Sequence, residues 1–223
     1  LAWGPPVGAC DLVLSTAGLA SPVEHRHGDL TATVDAGVTL AAANRALGTR
    51  GQWLPLDPLE PEHATIGGIV ATNDSGPRRH GHGAPRDLII GITVARSDGE
   101  IAKAGGIVVK NVAGYDLSRL FTGSFGCLGV ILGATFKLVP VAPTSRTVVV
   151  EPDGQGTSAA LEALGPLVAD MMASGLTPSA LEAWWPPARL LVRFESVEEA
   201  VAHQAAEVVR LVGDRGRATV VAG

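Results

Sequence analysis

Glycine is the residue that most constrains this chain: 28 of its 223 residues are glycine, well above the usual share of about 7%. They follow no collagen-like period, so many backbone positions need positive φ or close approach to another group. Turn-rich structure or ligand-cradling loops would explain that. The surrounding composition, 46% hydrophobic and 17% charged, belongs to a folded globular protein and not to a disordered one. The length allows one large domain or two small ones.

The net charge of -5 provides no general basic face, which excludes a general nucleic-acid binder. No stretch is long and apolar enough to span a bilayer, so no transmembrane segment is expected. The first eight residues lack the basic start and apolar run of a signal peptide. The expectation is a soluble, non-secreted, cytoplasmic protein. Cys10 and Cys127 are too few and too far apart for a metal framework and read as two reduced thiols. The sequence opens at Leu1 without an initiator Met, directly inside Ala2-Trp3-Gly4-Pro5-Pro6, so part of an N-terminal domain is expected to precede it.

Short apolar runs at 11–15, 23–27 and 30–34 are separated by Gly, Ser and Pro signals that suit small strands. Thr39 can cap a helix in which Leu40, Ala43, Asn44 and Leu47 follow helical spacing and Gly51 supplies a stop. The prolines of segment 54–61 remove donors and hold the backbone extended, so no regular structure is expected there. Strands are predicted at 88–95 and 101–104, joined by the tight turn Ser97-Asp98-Gly99-Glu100. A further strand is predicted at 131–139.

The texture changes near Pro143, where a second module is expected. Residues 147–150 are strand-like, and 157–172 carry Leu161, Leu164 and Val168 at helical spacing. Strands are predicted at 180–184 and 190–194. Ser196-Val197-Glu198-Glu199 reads as a capping box opening a helix to Val212, followed by a strand at 218–222. The order β-α-β-β-α-β matches a ferredoxin-like unit, a fold that by itself implies no function.

Chemistry concentrates in the middle of the chain. The run Ala64-Thr65-Ile66-Gly67-Gly68-Ile69-Val70-Ala71-Thr72-Asn73-Asp74-Ser75-Gly76 joins a hydroxyl, a glycine pair and a polar end. If Thr65 caps a short helix, consecutive N–H groups without Cβ shielding sit where the dipole favours a diphosphate. A tight turn beside a small apolar helix accounts for the same residues, because glycine pairs are common turn punctuation. No G-x-x-x-x-G-K-[ST] occurs, and Gly123-Ser124-Phe125-Gly126-Cys127-Leu128-Gly129 has the wrong spacing for G-x-G-x-x-G. Neither a P-loop enzyme nor a dinucleotide-binding Rossmann protein is indicated.

An ordered set of blocks over roughly residues 30 to 140 resembles the vanillyl-alcohol-oxidase-type (PCMH-type) FAD-binding domains. The blocks are Leu54-Pro55-Leu56-Asp57-Pro58, then Ala64 to Gly68, then Ala71-Thr72-Asn73-Asp74-Ser75-Gly76-Pro77-Arg78-Arg79. Arg86-Asp87-Leu88 with Gly91, Lys110-Asn111-Val112-Ala113-Gly114-Tyr115-Asp116-Leu117 and the segment from Gly123 to Ile131 follow in the same order. Within that family the chain is similar to the FAD-binding subunits of glycolate oxidases more than to their catalytic partner subunits. The resemblance implies an α+β fold: an FAD-binding domain at 1–142 lacking its N-terminal glycine-rich loop, and a partial ferredoxin-like cap at 143–223. It implies FAD as cofactor. Pro58, Ala64, Thr65, Ile66, Gly67 and Gly68 would line the flavin and its diphosphate. Thr72, Asn73, Ser75 and Gly76 would continue that contact, and Gly129, Val130 and Ile131 would meet the adenosine end. The implied activity is FAD-dependent oxidation of glycolate as a subunit of a complex; the alternatives are a self-sufficient FAD-dependent dehydrogenase of another 2-hydroxy acid and a non-catalytic structural subunit that keeps the FAD-domain fold. The implied partners are a catalytic flavoprotein subunit and an iron–sulfur subunit, with the complex placed in the cytoplasm or peripheral to the inner membrane.

The remaining polar residues read as structural. His25, His27, His80 and His82 are expected to be solvated, and no metal is expected because a site needs three or four converging ligands. Arg78, Arg79 and Arg86 could attract a carboxylate substrate or phosphates, yet arginines in a polar loop are more often solvated. Tyr115 and Asp116 read as pinning a turn onto the core. Trp184 and Trp185 read as packing. No catalytic acid or base is assigned.

Overall fold

Two short strands, β1 (Glu24–Arg26) and β2 (Thr31–Asp35), pair antiparallel across the 3-10 turn His27–Asp29. The computed structural model that shows this describes residues 8–107, 116–154 and 157–222. The apolar run at 11–15 is not a strand. Leu12, Val13 and Leu14 stay exposed, and no described strand lies beside them to give their backbone a ladder. Helix α1 (Leu40–Gly48) starts where expected, with Thr39 Oγ1 accepting the Ala42 N–H at 3.2 Å. It ends before Gly51, which instead turns the chain at φ +64° into the two-residue strand β3 (Gln52–Trp53).

After the proline segment come helix α2 (Ile66–Thr72) and two single-turn helices, α3 (Arg79–His82) and α4 (Pro85–Leu88). Strand β4 (Ile89–Ala95) therefore begins one residue later than predicted, because Leu88 closes α4. The turn to β5 (Ile101–Gly105) has the expected geometry, with Gly99 at φ +86°. Asp116 caps α5 (Leu117–Phe121), its Oδ1 accepting the Arg119 N–H, while Tyr115 and the rest of its block from Lys110 lie outside the described residues.

The strand expected at 131–139 is two elements, β6 (Val130–Lys137) and β7 (Val139–Pro140). Leu138 breaks the run: it is buried, and its N–H turns to the Leu30 carbonyl. Strand β6 sits inside a five-stranded antiparallel sheet of order β1-β2-β6-β4-β5, and β7 pairs with β3. The apolar stripes of α1 (Leu40, Ala43, Leu47) and α2 (Ile66, Ile69, Val70) pack with Val34, Ala134 and Phe136 in one core. Burial of such side chains contributes about 1.5–3 kcal/mol each.

The second half runs β8 (Thr144–Pro152), α6 (Thr157–Ala173), β9 (Ala180–Trp184), β10 (Arg189–Ser196), α7 (Glu198–Val212) and β11 (Gly216–Ala222). This is the β-α-β-β-α-β order read from the sequence. The sheet order β11-β8-β10-β9 is fully antiparallel, and a second core of Val148, Val150, Leu190, Val192 and Phe194 lies beneath Val201, Ala205 and Val208. The capping box at Ser196 does not form: Ser196 is the last rung of the β10–β8 ladder, opposite Thr144, and Val197 takes the cap position without a side-chain bond.

Candidate functional site: a glycine turn and a module junction

Thr65 caps α2, and the first N–H groups of the helix are all engaged. Ile66 and Gly67 donate to the carbonyls of Val38 and Ala36 at 2.9 and 2.8 Å, and Gly68 donates to Thr65 Oγ1 at 3.3 Å. The Gly68 bond is long for an amide donor, and Gly68 is the member of the three that fronts a cavity of about 290 Å³. Of the residues singled out in the sequence, Ala64, Thr65, Gly68 and Thr72 share this cavity, together with Glu60, His63, Ile69 and Asp74.

The two glycines of the pair thus serve different ends. Gly67 faces inward, where a Cβ would lie 2.8 Å from the Ala36 Cβ; at Gly68 the nearest atom is Thr65 Oγ1 at 3.2 Å. Gly67→Ala is expected to cost about 1–3 kcal/mol through overpacking. Gly68→Ala is expected to be neutral or slightly stabilising, since Ala exceeds Gly in helix propensity by about 1 kcal/mol. Thermal melts of the two variants check this contrast.

Beyond α2 the chain reverses through Asn73, a non-glycine residue at φ +55° whose Oδ1 accepts the Arg86 N–H at 3.2 Å. The carboxylate of Asp57, next to the buried Pro58, accepts the N–H groups of Gly76 and Arg78, both at 2.8 Å. Burial pushes the Asp57 carboxyl above its ordinary value against the pull of these two N–H groups and the Arg78 charge. A Cβ at Gly76 would lie 2.5 Å from the Asp57 carbonyl oxygen, so only glycine allows this approach. Ser75 and Gly76 line a groove with Pro77, Arg79 and His80 that faces Leu181, Glu182 and Ala183.

The Gly123–Ile131 block docks on the carboxyl end of α2. Gly123 and Phe125 donate their N–H groups to the carbonyls of Val70 and Ala71 at 2.9 and 2.8 Å. Between them Ser124 Oγ is buried without a hydrogen-bond partner among the described residues, a polar atom that fits a bound polar ligand. Gly129, at φ +152°, brings the start of β6 against β4: a Cβ there would lie 2.7 Å from the Ala95 carbonyl oxygen. Val130 pairs with Ala95 and Ile131 enters the core, so these three residues stand apart from the α2 cavity.

Arg78 and His82 are not solvated. Arg78 donates through Nη1 and Nη2 to the two carboxylate oxygens of Glu195 at 2.7 and 3.1 Å, and its guanidinium lies 4.5 Å from the Trp53 ring centre. His82 meets the same ring edge-on at 5.8 Å. From the second module Arg193 adds Nε to Glu195 at 3.1 Å and Nη2 to Ser145 Oγ at 2.9 Å. Burial alone would raise the Glu195 carboxyl, but His82, Arg78 and Arg193 outweigh it and hold the group well below the ordinary carboxylate range. These residues border a junction cavity of about 540 Å³. Ligand sites are commonly found at such domain interfaces.

Other expectations resolve locally. His25 Nε2 pairs with Gln52 Oε1 at 2.8 Å, and His80, Arg79 and Arg86 are exposed. Trp184 and Trp185 are 53% and 43% exposed and do not pack inward, because Trp184 ends the edge strand β9 and Trp185 lies in the turn that follows. Cys10 and Cys127 are free and exposed. Among the described residues no group of three or more His, Cys, Asp or Glu converges, and no helix is long and apolar enough to cross a membrane. Sequence reasoning missed Trp53 and Glu195, whose roles depend on partners more than 20 residues away, and it did not single out Asp57 or Ser124 within their blocks.

Parts of the chain are similar to known proteins. The FAD binding domain family matches residues 6–105. Glycolate oxidase subunit GlcD of Bacillus subtilis (strain 168) is 37% identical over 164 residues, covering 74% of this chain and 34% of the relative. Glycolate oxidase subunit GlcE of Escherichia coli (strain K12) is 44% identical over 113 residues, 50% of this chain and 32% of the relative. The chain spans about a third of the length of these relatives. A solved structure of alkyldihydroxyacetonephosphate synthase superposes with a TM-score of 0.70 over 90% of this chain and 41% of the other, at 17% identity, a likeness of fold alone. Residues 6–105, which include the α2 glycine turn, are thus similar to the FAD binding domain family.

Proposed function

We propose that the chain is the FAD-binding part of a glycolate oxidase subunit, which contributes to the oxidation of glycolate to glyoxylate together with a catalytic flavoprotein subunit and an iron–sulfur subunit. Residues 1–142 would be the FAD-binding domain and 143–223 part of the cap. The observation that carries the reading is the convergence on α2 of three separate blocks. Ala64, Thr65, Gly68 and Thr72 line one cavity there, and Gly123 and Phe125 are tied to the end of the same helix.

FAD, when bound, supplies the two-electron acceptor for the hydride of the hydroxyl-bearing carbon. This chain's own work is to hold and orient. Gly68 leaves room for close approach, Ser124 Oγ offers a buried hydrogen-bonding atom, and Asp57 fixes the loop through Gly76 and Arg78. No residue of the α2 cavity is assigned the removal of the hydroxyl proton.

A second reading is a self-sufficient FAD-dependent 2-hydroxy-acid dehydrogenase, favoured by the longer stretch shared with GlcD than with GlcE. One experiment separates the two: flavin absorbance and glycolate oxidation with an artificial acceptor, measured on the protein purified alone and with its neighbouring subunits. The expected result is bound FAD with negligible turnover alone and turnover restored in the complex. Robust turnover by the isolated protein would select the second reading, and absence of FAD from every preparation would overturn both.

A further inference from the structure

We propose that Glu195 is a positioning residue for the flavin site: from the second module it holds the Arg78 guanidinium off the Asp57 carboxylate, which shapes the loop behind the α2 cavity. The proposal rests on the flavin reading of that cavity. Thr72 and Asp74 line the cavity. Gly76 then gives its N–H to Asp57 Oδ1 at 2.8 Å. Arg78 follows, with its N–H on Asp57 Oδ2 at 2.8 Å and its guanidinium on both oxygens of Glu195. The stretch 74–78 thus runs from the cavity lining to the contact with β10.

The charges at this contact balance. Arg78 and Arg193 meet Glu195 and Asp57, and His82 Nε2 lies 3.9 Å from Glu195. The two carboxylates have separate tasks. Glu195 takes the guanidinium groups, whereas Asp57 takes the backbone N–H groups of the loop. The Arg78 charge already acts on Asp57, drawing its carboxyl down against burial. The Arg78 side chain is 20% exposed, and a charge so placed is costly to leave unpaired. Without the Glu195 charge, the guanidinium turns to the carboxylate that its own backbone N–H touches. It then competes with the Gly76 and Arg78 N–H groups for two oxygens. The fit there has little tolerance, since a Cβ at Gly76 would lie 2.8 Å from Asp57 Oδ2. A displaced Asp57 therefore moves the loop, and the loop carries Asp74 and Thr72 of the cavity.

This mechanism makes Arg78 the agent of the damage, so its removal should repair it. FAD affinity is read by diluting the flavin-loaded full-length protein and measuring the flavin retained on ultrafiltration. Wild type, Glu195→Gln, Arg78→Met, the double variant and Val208→Ala are compared, with circular dichroism on each. Glu195→Gln is expected to weaken FAD by at least about fivefold, the lower end of couplings between sites. Arg78→Met and the double variant should both stay within about twofold of wild type, a strongly non-additive pair. Val208 belongs to the second core, and its truncation should lower thermal stability without changing FAD affinity. Wild-type affinity in Glu195→Gln, a double variant as weak as Glu195→Gln, or an equal loss in Val208→Ala would each overturn the proposal while leaving the flavin reading in place. A wild-type protein that holds no FAD would overturn that reading and the proposal with it.

Discussion

Replacing Glu195 by alanine is expected to destabilise the protein by about 3 kcal/mol and to separate the unfolding of its two cores. The carboxylate receives three N–H bonds, two from Arg78 and one from Arg193, and its side chain is only 12% exposed. Removing it leaves two partly buried guanidinium groups facing each other without a counter-charge, and breaking such a pair costs about 3–5 kcal/mol when fully buried. Arg193 retains 32% exposure, so the lower end applies. At this chain length, about 3 kcal/mol corresponds to a drop in Tm of roughly 6–12 °C. Arg78 belongs to the loop held by Asp57, whereas Glu195 and Arg193 belong to β10 over the second core. The loss therefore falls on the contact between modules and not inside either one. Calorimetry should show one transition for wild type and two for Glu195→Ala. A single transition at the wild-type temperature would sink this account.

The same pair sets an acid limit. The Glu195 carboxyl is held below its ordinary value of 4.5 in the folded protein, so its stabilising contribution is fully present above that pH and is lost as pH falls below it. Asp57 acts in the opposite sense: burial raises its carboxyl above 3.8, so it favours the folded state most when protonated and that contribution is lost as pH rises. Between wild type and Glu195→Gln the difference in Tm should shrink as pH falls below about 4.5.

What was legible in the sequence was whatever depends on neighbours along the chain. The Thr39 and Thr65 caps, the Asp98-Gly99 turn and the β-α-β-β-α-β order of the second half all rest on spacings of a few residues, and each is present. Local signals failed where long-range contacts overrode them. Ser196 carries a capping-box pattern but is drawn into a ladder by Thr144, 52 positions earlier. The run at 11–15 has strand composition without a strand to pair with among the described residues. Arg78 sits in a polar loop, where solvation is the default, yet its counter-ion is 117 residues away. The sequence pattern does not tell the two glycines of the pair apart, whereas the first is fixed by packing on Ala36, a contact no local pattern reveals.

The sharpest test of the flavin assignment is Gly68→Asp, which is expected to abolish FAD binding while leaving the fold intact. Gly68 is the third residue of α2, and Thr65 at the cap accepts its N–H. An aspartate at this place creates Thr-x-x-Asp, close to a capping box, and puts a negative charge beside the positive end of the helix, where it stabilises by about 0.3–1 kcal/mol. The backbone carries no positive φ there, and a Cβ meets only Thr65 Oγ1. If the glycine pair were merely a turn, the variant would be as stable as wild type and would keep its flavin. If the α2 cavity holds FAD, the carboxylate both fills the approach at Gly68 and adds a third acidic residue to a lining that already has Glu60 and Asp74. Repulsion of a dinucleotide diphosphate in a partly desolvated site is far stronger than in water. A loss of about 3 kcal/mol weakens binding more than a hundredfold. Gly68→Asn, nearly the same size without the charge, should lose less and so separates bulk from charge. FAD content by absorbance and fold by far-UV circular dichroism are to be measured on all three proteins. Stoichiometric FAD in Gly68→Asp would remove the α2 cavity from the cofactor site.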